Sequence, residues 1–137
     1  MREMQETLHP LLVHFHIGLL VAAFGFEVLG AWRRHAGLRQ AAFYMIAAGF
    51  LGLLVSVPSG LWAAETQPQG ALGLVKIHRD FGLAATILFA IVLGLRTALA
   101  RCETPGRAML WAYGALFLIA IGCLAVTGYY GGRIVYG

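Results

Sequence analysis

Four of the five histidines stand at the starts of two long apolar segments of the chain, at positions His9, His14, His16 and His78. Counted at a rise of about 1.5 Å per residue, His14 and His78 lie at similar distances from the starts of their segments. If the two segments are parallel helices, these two imidazoles reach a similar depth. The spacing therefore predicts that His14 and His78 face one another across a helical bundle.

A glycine follows each of these two histidines one helical turn later. Gly18 follows His14 and Gly82 follows His78, while Gly25 extends the first glycine stripe. Residues four apart share one helix face, so each imidazole is expected beside a bare helix surface. Two such histidines favour bis-histidine ligation of a flat haem b. The alternative is that the glycines serve only close packing of membrane helices.

Two further histidines form a weaker candidate site for a second haem or another metal ion. His9 and His16 lie seven residues apart, and imidazole nitrogen is a ligand for Zn, Cu and Fe. At about 100° per residue, His16 points nearly opposite to His14, so the two cannot serve one haem together. The alternative for His9, which precedes Pro10, is a helix-start residue in the headgroup region.

Cationic side chains accompany the histidines at the same predicted level. Arg79 and Arg133, with Lys76, could pair with haem propionates or another anionic group, and the alternative for each is anchoring at the membrane interface. Glu27 is expected to snorkel or to pair with an arginine near the inner end of the first span.

Composition places the chain among membrane proteins. Of the 137 residues, 60% are hydrophobic and only 12% are charged, and the mean hydropathy is +0.78. A chain this short cannot hide so much apolar surface from water, so lipid has to be its solvent. The net charge of +4 does not indicate nucleic acid, because the basic residues lie in short clusters between apolar runs.

The two cysteines do not suggest covalent chemistry. Cys102 and Cys123 are predicted to lie about 25 Å apart along the bundle, too far for a disulfide. No Cys-x-x-Cys-His sequence is present, so covalent attachment of a c-type haem is excluded.

The apolar runs predict one all-α transmembrane domain, an up-down-up-down four-helix bundle. The domain covers residues 1–137, and its spans are predicted at about 10–33, 39–64, 73–100 and 106–130. Pro58 predicts a kink or an early end of the second helix. Gly131 and Gly132 predict the end of the fourth.

Arginines predict the orientation of the bundle. Arg33, Arg34 and Arg39 follow the first span, and Arg101 and Arg107 follow the third. These loops are therefore expected in the cytoplasm, with both termini on the periplasmic side of a bacterial inner membrane.

The segment from Leu8 to Gly18, the His78 that heads the third span and the closing segment from Gly131 to Tyr136 resemble the bacterial membrane family called domain of unknown function 2231. The resemblance covers nearly the whole chain and implies four spans. It also implies an electron-transfer setting, because members often occur beside or fused to c-type cytochromes or Rieske proteins. The family's first motif usually has proline where this chain has His16, so the resemblance assigns no role to His16.

The leading hypothesis is a small b-type cytochrome that exchanges electrons with a periplasmic carrier or a larger redox complex. The alternative is a non-catalytic accessory subunit without a cofactor of its own. Neither requires a stand-alone enzyme, and both leave open a homo-oligomer in the bilayer. A metal transporter or a quinone-binding enzyme is disfavoured, because few polar residues are expected at mid-membrane.

Overall fold

The computed structural model describes residues 2–64 and 72–136, with side chains described over 13–62 and 72–135. This part of the chain forms four α-helices and no strand: α1 (Arg2–Trp32), α2 (Ala36–Ala64), α3 (Leu72–Arg101) and α4 (Arg107–Tyr136). Each helix contains a stretch long and apolar enough to cross a membrane. The chain is therefore an all-α, multi-pass membrane protein.

Two helical hairpins make up the bundle. α1 packs mainly on α2 and α3 mainly on α4, while the α2–α3 seam and especially the α1–α4 seam are thinner. Short connections at 33–35 and 102–106 close the hairpins, and Arg34 adopts a left-handed φ of 51° in the first of them. We call the end with these connections the turn end and the opposite end the histidine end. Which end faces the cytoplasm stays a prediction.

Small residues and aromatic rings hold the hairpins together. A Cβ on Gly49 would lie 2.6 Å from the Leu20 side chain, so α1 and α2 approach closely there. In the middle of the core, Phe117 of α4 makes edge-to-face contacts with Phe24 at 5.2 Å and with Phe89 at 5.8 Å between ring centroids. The core therefore joins α1, α3 and α4 at one level.

The helices extend further than three of the sequence signals suggested. α1 already begins at Arg2 rather than near Pro10, and α2 continues through Pro58 to Ala64. α4 passes through Gly131 and Gly132 to Tyr136 instead of stopping at the glycines. The reason at Gly131 is contact, because a Cβ there would lie 3.0 Å from Cε1 of His78. This glycine makes room for an imidazole and does not end the helix.

A buried ionic cluster lies in the core towards the turn end. Arg96 of α3 donates through Nε to the Glu27 carboxylate of α1 and through a terminal nitrogen to the Arg39 carbonyl of α2, at 2.8 Å. Arg39 Nε lies 3.8 Å from the second Glu27 oxygen. The Tyr113 hydroxyl of α4 lies near this carboxylate but not in hydrogen-bonding geometry. Glu27 therefore pairs with arginine, as the sequence suggested, and the cluster ties α1, α2 and α3 together.

Candidate functional site

A narrow cavity lies between all four helices at the histidine end. The cavity volume is about 60 Å³, and the larger unfilled space of about 530 Å³ includes the open surroundings of the mouth. The exposed residues of its lining are Leu61 of α2 and Arg79 and Leu83 of α3. The mouth of the cavity is therefore on the side of these two helices. Its polar lining comes from all four helices: His16, Ser56, His78, Arg79 and Thr127.

His16 is the α1 histidine that faces this cavity. The residue is 2% exposed, and its Nδ1 lies 3.1 Å from the Ser56 hydroxyl of α2. A Cβ on Gly52 would lie 2.7 Å from the Cβ of His16, so this glycine lets the two helices meet at the imidazole. Ser56 and Gly52 together position His16 in the interior.

His78 faces the same cavity from α3. Its Nδ1 lies 2.8 Å from the Thr127 carbonyl of α4. A carbonyl oxygen can only accept, so Nδ1 of His78 is the donor and carries a proton. Thr127 presents its backbone to the histidine, while its hydroxyl donates to the Cys123 carbonyl at 2.8 Å. This contact fixes the position of His78 and a proton on its Nδ1.

The structure does not bring His14 together with His78. His14, Gly18 and Gly25 are all exposed on the outer face of α1, and a Cβ on either glycine would meet nothing within 4 Å. Residues two positions apart on an α-helix point in directions about 200° apart. Because His16 faces inward, His14 faces outward. The glycine stripe of α1 consequently faces away from the cavity.

The other predicted site residues divide between the cavity and the surface. Gly82 lines the cavity, where its Cβ would lie 3.5 Å from the Thr127 methyl carbon. Arg79 stands at the mouth and donates to Asp80 at 2.9 Å. Arg133 is exposed on α4 and does not line the cavity. The side chain of His9 lies outside the described residues.

The donor set limits the chemistry of this site. Within residues 13–62 and 72–135, no three His, Cys, Asp or Glu side chains come close enough to hold a metal ion between them. His16 and His78 both line the cavity, and a pair of imidazoles is the donor set of a bis-histidine haem. The remaining walls are mostly apolar, as expected for a site that binds a flat, largely hydrophobic group.

Comparison with known proteins agrees with the membrane architecture. The family model described as "Predicted membrane protein (DUF2231)" matches residues 5–137. The chain belongs to the DUF2231 family. Among curated proteins and among solved structures, no match to the chain was found.

Sequence reasoning missed two partners that organise the site of this DUF2231 chain. These partners are Ser56 and Thr127, which neither residue type nor spacing distinguishes in the sequence. One signal for His16 was present, since His16 and Glu27 are eleven residues apart and fall within about 20° on a helix. A charge inside a span has to face the protein interior, so it indicates that His16 does too.

Proposed function

We propose that the chain is a b-type cytochrome-like electron-transfer protein that holds haem b in the histidine-end cavity between His16 and His78. The observation that carries the proposal is the placement of two buried or half-buried imidazoles on different helices around one narrow cavity, each held by a hydrogen bond of its Nδ1. His16 replaces His14 in this assignment because it is the inward-facing histidine of α1.

The protein contacts of both rings support a ligand role. Histidines that bind metal typically use the second ring nitrogen for a hydrogen bond to a carbonyl, a carboxylate or water, which fixes the ring orientation. The Thr127 carbonyl does this for His78, and the Ser56 hydroxyl contacts the corresponding nitrogen of His16. In each case Nε2 is the donor atom that the proposal assigns to iron.

The lining of the cavity, rather than its volume, supports the proposal. Its volume of about 60 Å³ is well below the range of small-molecule sites, so the surrounding helices have to move apart for haem to bind. Gly60 and Gly82 leave two positions in the α2 and α3 walls without a side chain. Arg79 at the mouth is placed to pair with a carboxylate such as a propionate.

The roles of the chain's residues follow from this arrangement. Haem, when bound, supplies one-electron chemistry, while His16 and His78 hold it and the apolar walls exclude water. With the predicted orientation, the cavity opens near the periplasmic face of a bacterial inner membrane. A periplasmic carrier or a larger membrane redox complex is then the partner that exchanges electrons with it.

Visible spectroscopy of the purified protein tests the proposal. Protein made with sufficient haem supply should show a Soret band and a reduced α-band, and both should be lost in His16→Ala and in His78→Ala. His14→Ala is the matched control, because it removes an imidazole two residues away on the exposed face. Loss of the bands in His14→Ala but not in His16→Ala would instead favour the His14–His78 pair.

An accessory subunit without a cofactor is the second candidate. The exposed glycine stripe of α1 favours it, since small residues let another membrane helix approach closely. Under this alternative the protein is colourless under the same conditions, and it co-purifies with a larger complex or with further copies of itself. Gly18→Leu should then disrupt the association and leave the monomer folded.

A further inference from the structure

Positive charge is concentrated at the turn end of the bundle. Six arginines and two glutamates lie there, namely Arg33, Arg34, Arg39, Arg96, Arg101 and Arg107 with Glu27 and Glu103. The remaining four basic and four acidic residues belong to the other end and balance one another. The whole formal charge of +4 is therefore carried by the turn end. The positive-inside rule accounts for exposed arginines in such loops, but it does not account for charge inside the bundle.

The ionic cluster holds one more cation than it can neutralise. Glu27 is bonded directly to Arg96, and both side chains are less than a tenth exposed. Arg39 reaches the same carboxylate only at 3.8 Å, and its Nε is buried with no hydrogen-bond partner among the described residues. Two guanidinium groups thus share one carboxylate. One positive charge of the cluster therefore has no counter-charge of its own, and an anion at the exposed part of Arg39 would balance it.

Arg39 is placed to meet that anion from outside the bundle. It lies three residues after the start of α2, about 4.5 Å along the helix axis, which is the level expected for headgroups. Its side chain is 41% exposed, in contrast to the buried Arg96. Its guanidinium therefore extends from the ionic cluster to the membrane interface.

The surroundings of Arg39 favour an anion over any other ligand. Six of the eight charged residues at the turn end are arginines, so the local potential there is positive. Arg33 stacks over Trp32 at 5.2 Å rather than pairing with an acidic residue. An arginine fork matches the paired oxygens of a phosphate group and binds them in a bidentate manner.

We propose that Arg39 is the centre of a phosphate-binding site at the turn end, which binds the phosphate of an anionic phospholipid headgroup or a free phosphate ion. The Glu27 carboxylate approaches the same guanidinium from the inside, and its own charge is balanced by Arg96. The bound phosphate supplies the missing negative charge and links the start of α2 to the membrane surface. This site is independent of the histidine-end cavity and of haem binding.

Lipid binding to the purified full-length protein tests the proposal. Delipidated protein is titrated with phosphatidylglycerol in phosphatidylcholine nanodiscs or micelles, and bound lipid is counted by native mass spectrometry. A parallel titration with inorganic phosphate is made at constant ionic strength with chloride. Thermal unfolding is followed in both series. Saturable stabilisation by phosphatidylglycerol identifies the lipid as the source, whereas stabilisation by inorganic phosphate alone identifies the free ion.

Variants separate a site from general electrostatics. Arg39→Gln should weaken phosphate binding about tenfold or more, because a hydrogen-bonded charge is lost. Arg133→Gln, which removes an exposed arginine from the other end, should bind as the wild type does. Arg39→Lys keeps the charge but not the fork, so it should fold and bind several-fold more weakly, and it serves if Arg39→Gln fails to fold. Equal binding by wild type, Arg39→Lys and Arg133→Gln would overturn the proposal, as would binding of neither ligand.

Discussion

Removal of the Glu27 carboxylate is expected to be the most damaging single change in the ionic cluster. Glu27→Gln keeps the side-chain shape but leaves two guanidinium groups without their shared anion. Breaking a buried ion pair by removing one partner costs about 3–5 kcal/mol, and we expect Glu27→Gln to lie in this range. Arg96→Met should cost less, about 1–3 kcal/mol, because Arg39 at 3.8 Å can turn towards the remaining carboxylate.

The same geometry predicts strong coupling between the two positions. When Arg96→Met is already present, Glu27→Gln removes a charge that has only Arg39 left as a partner. The loss in free energy of unfolding in the double variant should therefore be at least about 1 kcal/mol smaller than the sum of the losses in the two single variants. Such coupling is typical of residues in direct contact.

The assay is the free energy of unfolding in mixed micelles, measured from helical circular dichroism during titration with a denaturing detergent. Asp80→Asn is the control, since it breaks the Arg79–Asp80 pair, whose side chains are 47% and 50% exposed. An exposed pair is worth at most about 1 kcal/mol, so this variant should differ little from wild type. The reasoning is refuted if Glu27→Gln lowers the free energy of unfolding no more than Asp80→Asn does, or if Arg96→Met lowers it more than Glu27→Gln does.

Three further predictions follow from single contacts. Gly52→Ala should destabilise the α1–α2 hairpin by about 1–3 kcal/mol, because the new Cβ would lie 2.7 Å from the Cβ of His16. Gly122→Ala is the control and should be neutral or stabilising, because a Cβ there meets nothing within 4 Å. Thermal unfolding compares the two variants. Ser56→Ala should cost about 1 kcal/mol by removing the His16 contact, and unchanged stability together with unchanged spectra would show that the contact positions nothing. Cys102, exposed at the turn end, should react with a membrane-impermeant maleimide only after the cells are permeabilised, and labelling of intact cells would reverse the predicted orientation.

The four membrane helices could be predicted from the sequence because lipid imposes a simple requirement. A backbone inside the bilayer has to satisfy its own hydrogen bonds, so each apolar run of sufficient length becomes a helix. The Glu27 pairing with an arginine was also predictable, since a charge within a span requires a partner. Helix ends were harder, because Gly131 matches a stop signal in sequence but contacts His78 in the structure.

Apart from the spacing between His16 and Glu27, the sequence contains little information on the rotation of each helix about its axis, which the tertiary structure decided. In water, a polar face and an apolar face reveal which side of a helix is buried, but a membrane helix is apolar on both sides because lipid is apolar too. The choice between His14 and His16 therefore depended on which of them met Ser56 and Gly52 of another helix, and sequence spacing along α1 did not contain those contacts. The cavity and the contact between Arg39 and Arg96 could not be predicted from the sequence either. Both are formed by residues far apart in the chain, which only helix packing brings to one level.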